Sequence, residues 1–252
     1  MAVFVCLLGI LIVVVGLLFY CGIWHFNNPS PDEYPVRGVD VSSYQGDIDW
    51  AVLSSQGIEF AFIKATEGST FVDECFKKNW ENAYKAGLYI GAYHFFSFES
   101  SGQEQAEHFI STVGLLEDTM LPPVIDIEYY DYPSDTDVSA RTVQKELGEM
   151  IETLKAYYGR PPVLYVTKRS YNDFVQDHFT ECPLWVRSVY GRPDYVSDQA
   201  WAFWQYSNRH RLNGYEGKES YIDMNVYNGD LNGFLQQFFL STAQSGSQSR
   251  KD

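Results

Sequence analysis

Short apolar runs, most of them rich in β-branched or aromatic residues, recur along this chain at spacings that leave room for a helix between them. Gly38-Val39-Asp40-Val41, Phe60 to Ala65, Leu88 to Phe95, Val124 to Ile127, Val163 to Val166, Leu184-Trp185-Val186, Ala202 to Tyr206 and Asp223 to Val226 read as eight strands. Helix-like segments separate the early ones: Ile48 to Ser54, Phe76 to Ala86 with Gly87 as its stop, Gln103 to Val113, and a long one from about Val138 to Tyr158. In the last, Val143, Leu147, Ile151, Leu154 and Tyr158 fall on one face, and Gly159 with Pro161-Pro162 ends it. A short helix is expected near Arg169 to Phe174. Eight strands, the first five with helical crossovers, fit a parallel α/β barrel more naturally than an open sheet. The later crossovers are short, so the last part departs from the regular pattern.

A barrel of this kind carries its chemistry at the C-terminal ends of its strands. Polar residues gather at those ends: Asp40, Lys64, His94, Asp126, Glu128, Arg187, Gln205 and Asp223. Burying so many ionisable groups is costly unless they are used. The densest stretch is Pro122 to Glu128, PPVIDIE. A strand sends alternate side chains to one face, so Asp126 and Glu128 point the same way off its end. Two close carboxylates cannot both ionise cheaply, and one can then hold a proton near neutral pH. That equipment suits protonation of a leaving oxygen, as in glycoside hydrolysis, although acidic residues at strand ends are common for blander reasons.

The formal charge of −15 excludes the basic footprint that nucleic-acid binding needs. Nineteen Tyr and six Trp suit a groove that stacks on sugar rings, as well as an ordinary core. Ala2 to Trp24 is almost wholly apolar, and no Asp, Glu, Lys or Arg precedes Asp32. About 20 such residues span a bilayer. Residues 1–24 are therefore expected to be an uncleaved transmembrane anchor rather than a signal peptide, which would carry a basic start and a shorter apolar core. Residues 25–36 read as a linker, 37–238 as one domain and 239–252 as a disordered polar tail. The expected placement is single-pass, with the domain outside the cytoplasm. Cys75 and Cys182 are the only cysteines of the domain, and on this topology they sit toward opposite ends of the barrel, so both are expected to be free thiols. No metal-ligand spacing or phosphate-binding loop is present, so neither metal nor cofactor is expected.

Several segments together resemble the family 25 glycoside hydrolases, the Chalaropsis-type lysozymes. They are Gly38 to Gly46 (GVDVSSYQG) with Ile48-Asp49-Trp50, Phe60 to Gly68 (FAFIKATEG), Gly87 to Phe96 (GLYIGAYHFF), Pro123 to Glu128 (PVIDIE), Pro183 to Val186, Trp204 to Ser207 and Ile222 to Asn225. They stand in family order and cover nearly all of residues 37–236. The resemblance implies a modified TIM-like barrel, five β/α units followed by three further strands. It implies a lysozyme (N-acetylmuramidase) hydrolysing the β-1,4 bond between N-acetylmuramic acid and N-acetylglucosamine in peptidoglycan, with a monomer acting in cell-wall turnover as the expectation. Carried over residue by residue, Glu128 resembles the general acid/base, Asp126 its partner carboxylate, and Asp40 and Asp223 the other two acidic positions.

The Asp-x-Glu pair resembles that of glycosidases in which the substrate's N-acetyl carbonyl attacks the anomeric carbon; a direct carboxylate nucleophile is the competing route, and carboxylate separation decides between them. Lys64, Tyr93, Tyr165, Trp185, Gln205 and Tyr206 are the expected substrate-binding groups. Each aromatic among them could instead be a core residue with a satisfied polar tip. His94 reads as a hydrogen-bonded strand histidine rather than a catalyst. Arg187-Ser188 departs from the small residue and aromatic that usually follow Trp185-Val186 in the family. The competing functions are a non-catalytic glycan-binding module and a chitinase-like glycosidase on the same chemistry.

Overall fold

Strand alternation decides the architecture. The computed structural model describes residues 2–20, 27–129 and 139–240. Its strands are β1 (Arg37–Val41), β2 (Asp47–Ile48), β3 (Phe60–Glu67), β4 (Phe71–Val72), β5 (Tyr89–Phe95), β6 (Val124–Ile127), β7 (Val163–Val166), β8 (Leu184–Arg187), β9 (Trp201–His210), β10 (Tyr215–Glu216) and β11 (Ile222–Tyr227). Its helices are α1 (Ala2–Tyr20), α2 (Trp50–Ser54), α3 (Phe76–Lys85), α4 (Gly102–Val113), α5 (Ala140–Tyr158), α6 (Lys168–Ser170), which runs into a π turn at Tyr171–Val175, and α7 (Leu231–Leu235). Parallel pairing runs from β1 through β3, β5, β6, β7, β8 to β9; β11 then lies antiparallel between β9 and β1 and closes the barrel. α2 to α5 lie in the crossovers between β1 and β7, so the fold is a mixed α/β barrel.

The period of two sorts each strand between two cores. Phe60, Phe62, Val124, Val163, Tyr165, Trp185 and Phe203 pack with one another inside the barrel, and Phe234 closes it from below. Ala61, Ile63, Ile125, Ile127, Leu164 and Val186 face outward and pack with Val143, Leu147, Ile151 and Leu154 of α5 and Phe109 of α4. The inner plug is aromatic: Phe62 stacks on Trp185 at 4.5 Å, and Phe60 and Phe203 meet Phe62 at 5.6 and 5.1 Å. Two glycines make room for it. A Cβ on Gly38 would lie 2.4 Å from the Phe60 ring, and one on Gly91 would lie 2.8 Å from Phe62.

Some boundaries differ from the sequence reading. The helix expected from Ile48 begins at Trp50, because Asp49 caps it through Val52 N and Asp47–Ile48 pair instead with β10. β9 runs on to His210, four residues past the expected end, held by its pairing with β11. Cys75 and Cys182 are free thiols, and burial pushes the Cys182 thiol up to about 12. The tail from residue 241 lies outside the described residues. α1 has an unbroken apolar sequence and exposes most of its side chains. At about 1.5 Å per residue it is about 28 Å long, at the lower edge of the hydrocarbon thickness. Among the described residues no helix is long and apolar enough to cross a membrane.

His94 is buried on the outer face of β5. Gln105 Oε1 accepts from Ser97 N at 2.7 Å, so the same oxygen accepts from His94 Nε2 at 3.0 Å, and Nδ1 takes the Thr66 hydroxyl at 2.8 Å. The ring is therefore neutral and ties β3, β5 and the start of α4 together. Burial, the largest cause, lowers its pKa to about 4. The unfolded chain takes up this proton below about pH 6.5. The folded chain resists it down to about pH 4, so the residue removes stability as pH falls through that window and contributes fully above it. The stability gap between the parent and His94→Gln is expected to shrink by on the order of 3 kcal/mol from pH 7 to pH 4. Denaturant titrations of both proteins across that range check this, and a pH-independent gap would contradict it. The comparison must be a difference, because burial of Asp40 acts in the opposite sense: its raised pKa gives stability that is lost as pH rises through about 6.

Candidate functional site

Above the aromatic plug the inward positions turn polar, because each parallel strand adds one more inward residue at its C-terminal end; β11 runs the other way, so Asp223 arrives from the N-terminal end of its strand and not from the C-terminal end expected of it. A cavity of about 350 Å³ opens there, lined by Asp40, Lys64, Tyr93, Asp126, Glu128, Tyr165, Trp185, Arg187, Gln205 and Asp223, with Ser42, Tyr44, Gln45 and Glu219 on its loops. A larger cavity, about 700 Å³, lies near Cys182, Leu184 and Trp201 at the N-terminal ends of β8 and β9. Size favours the second, but the converging carboxylates and the strand ends that carry barrel chemistry belong to the first.

Asp40 and Asp223 face each other from the antiparallel pair β1 and β11. Gln205 donates to Asp40 at 3.0 and 3.2 Å and to Asp223 at 3.1 Å. Asn225, two residues beyond Asp223 on the same face, donates to Asp40 at 2.7 Å. Both amides are oriented from behind: Tyr165 Oη donates to Gln205 Oε1 at 3.0 Å, and Trp185 Nε1 donates to Asn225 Oδ1 at 2.8 Å. Burial raises Asp40 to about 6, against the lowering by its two amide donors and Arg187. Burial and the charge of Asp40 push Asp223 well above the carboxylate range. Both members of the pair therefore hold a proton more readily than an ordinary carboxyl group, and Asp40 is the acceptor of the amide network.

The second pair stands across the cavity. Asp126 is buried at the end of β6, and Glu128 follows it by two residues at the strand's mouth. Burial, then the Glu128 carboxylate, push Asp126 well above its ordinary value; Lys64 opposes them. Asp126 Oδ1 is buried without a hydrogen-bond partner among the described residues. A buried carboxyl oxygen in that state is costly, and a bound donor would relieve it. Lys64 is held by Glu67 at 2.6 Å and lies 5.1 Å from the Phe95 ring centre. Beside Glu128, Tyr129 donates to Asp173 at 2.7 Å and carries the Arg169 guanidinium 3.8 Å from its ring centre, which fixes the wall next to the acid pair.

The structure gathers Asp40, Lys64, Tyr93, Asp126, Glu128, Tyr165, Trp185, Gln205 and Asp223 around one cavity. Tyr206 is not among them. Gln205 takes the inward position on β9, so Tyr206 faces outward, fully buried, with Arg37 hydrogen-bonded to its hydroxyl and stacked over its ring. Trp185 is the cavity floor, packed on Phe62 and edge-on to Tyr165 at 4.6 Å. Tyr93 Oη makes no hydrogen bond among the described residues and remains open to a ligand. Arg187 points inward. Asn225, Tyr44 and Glu219 were missed. Asn225 shares the period of Asp223, and Ser42 to Gln45 form a capping box that sets Tyr44 on the rim, so both had a signal in the sequence. Glu219 sits on an irregular loop and had none.

Residues 39–215 match the family described as Glycosyl hydrolases family 25. The chain is similar to the family 25 glycosyl hydrolase of Bacillus anthracis, with 47% identity and a TM-score of 0.79 over 86% of this chain and 99% of that one. It is 36% identical over 209 residues to Lysozyme M1 of Streptomyces globisporus, covering 79% of this chain and 69% of that protein. It is 29% identical over 210 residues to the N,O-diacetylmuramidase of Chalaropsis sp, covering 77% of this chain and 96% of that protein. A match over most of the barrel, including the strands that carry Asp40, Asp126 and Gln205, shows that this chain belongs to the lysozyme family of glycoside hydrolases, family 25.

Proposed function

We propose that this enzyme hydrolyses the β-1,4 bond between N-acetylmuramic acid and N-acetylglucosamine in peptidoglycan, with Glu128 as general acid/base and Asp126 as its partner. The observation that carries the reading is the pair of carboxyl groups at the end of β6, two residues apart and both lining the cavity, with Asp126 Oδ1 buried and without a partner among the described residues. The printed names of the relatives, a lysozyme and an N,O-diacetylmuramidase, support the substrate class.

In this mechanism Glu128 protonates the glycosidic oxygen as its bond to the anomeric carbon breaks. The carbonyl oxygen of the substrate's 2-acetamido group attacks that carbon and forms an oxazolinium ring. Asp126, through its unpartnered Oδ1, accepts the acetamido N–H and stabilises the charge that develops there. Water then adds to the anomeric carbon while Glu128 takes its proton, and the ring opens. Asp40 and Asp223, fixed by Gln205 and Asn225, bind the sugar and hold the field of the site. Purified full-length enzyme in mild detergent should clear a suspension of peptidoglycan, and intact wall would remove this reading. On glycan whose N-acetyl groups have been replaced by free amines, kcat/KM is expected to fall about 1,000-fold, the order of losing an oriented internal nucleophile. Undiminished cleavage would instead favour a direct carboxylate nucleophile.

Residues 1–24 are proposed to anchor the enzyme in the membrane, with the barrel outside the cytoplasm. The described helix α1 is too short to span a bilayer alone, and the support is the apolar sequence run from Ala2 to Trp24, which extends beyond it. Carbonate-washed membranes should retain the chain; its release would sink the anchor.

A further inference from the structure

On β8 the period of two places Arg187 on the same face as Trp185, so it rises from the cavity floor into the mouth. The lining carries five carboxylates, Asp40, Asp126, Glu128, Glu219 and Asp223, against two cations, Lys64 and Arg187. Lys64 is committed to Glu67 at 2.6 Å. The Arg187 guanidinium makes no hydrogen bond and no ion pair among the described residues; its backbone carbonyl accepts from Tyr195 Oη at 3.1 Å. It lowers the pKa values of Asp40 and Asp223 only through space. A half-buried planar cation with five N–H donors and no acceptor is an expensive arrangement unless a ligand supplies one.

The fork of a guanidinium matches a carboxylate in a bidentate pair. Plain N-acetylhexosamine offers only hydroxyls and an amide. A muramyl residue adds a lactyl ether ending in a carboxyl group, which is either free or extended into a stem peptide with carboxylates of its own. We propose that Arg187 binds a carboxylate on the muramyl substituent and so selects muramyl glycan over unsubstituted hexosamine chains. The inference rests on the muramidase reading. It also explains how so acidic a groove accepts an anionic polymer: the wall's negative group meets the one cation of the lining that has no protein partner among the described residues.

The test uses the full-length enzyme and three soluble muramyl glycans: one with the lactyl carboxyl free, one with it blocked as the methylamide, and one with it joined to a stem peptide. Arg187→Met and Arg187→Lys are compared with the parent. Arg187→Met is expected to lose about 10- to 100-fold in kcat/KM, mostly in KM, on a carboxylate-bearing glycan and to lose at least tenfold less on the methylamide. Arg187→Lys should recover part of the loss. Loss confined to the free lactyl form assigns that carboxyl as the ligand, and loss on the stem-peptide form assigns the peptide. Cleavage of the methylamide by the variant also shows that it is folded. Equal loss on all three glycans would mean that Arg187 acts only on Asp40 and Asp223, and no loss on any would mean that it is idle; either overturns the inference. A parent that cleaves none of them would instead remove the muramidase reading.

Discussion

Glu128→Gln is expected to lower kcat on peptidoglycan by about 10³- to 10⁴-fold, the upper range for loss of a general acid/base. The exchange keeps the shape of the side chain and its hydrogen-bonding reach but removes the proton it must give and take. Asp126 is raised first by burial and then by the Glu128 charge, so the variant removes the second of these causes and leaves the first. Binding should therefore survive while turnover fails, and KM should change far less than kcat. Initial rates on soluble wall fragments, with binding measured separately by isothermal titration, check both halves. A loss below tenfold would show that another group supplies the proton.

Phe62→Ala carries the second large effect, on stability. Phe62 is fully buried at the centre of the inner plug, stacked on Trp185 and packed edge-on against Phe60 and Phe203. Gly91 has given up its side chain to admit the ring, so no neighbour is positioned to fill the space. Removing it should cost about 3 to 5 kcal/mol, transfer and cavity terms together. The denaturation midpoint should fall with little change in the slope. Trp185 would lose the surface it lies on, and through Asn225 that floor orients Asp40, so activity should fall as well. A variant within 1 kcal/mol of the parent would mean that the barrel interior collapses more readily than its packing implies.

The acid pair was legible in the sequence because a strand's period is two and Ile127 alone separates the carboxylates. The same rule could not by itself choose the inward face of β9, where Gln205 and Tyr206 were equal candidates. The pairing of Arg187 with Gln205 in register decides it, and that is a tertiary fact. Asn225 lay within reach, two residues from Asp223, but an amide carries no charge to draw attention. Arg187 shares the phase of Trp185, yet only packing shows Trp185 pointing inward. The two-residue strands β2, β4 and β10 are too short to have any period. The aromatic plug was visible only as composition, since nothing local tells Phe60, Phe62 and Phe203 that they will meet.

The identity of the new reducing ends in a peptidoglycan digest bears most directly on the account. Full-length enzyme is incubated with purified wall, the products are reduced with borohydride, and the sugar alcohols are identified by mass spectrometry. The account predicts the alcohol of N-acetylmuramic acid in the parent digest and its absence with Glu128→Gln. New ends of N-acetylglucosamine, or the same ends from both proteins, would contradict it.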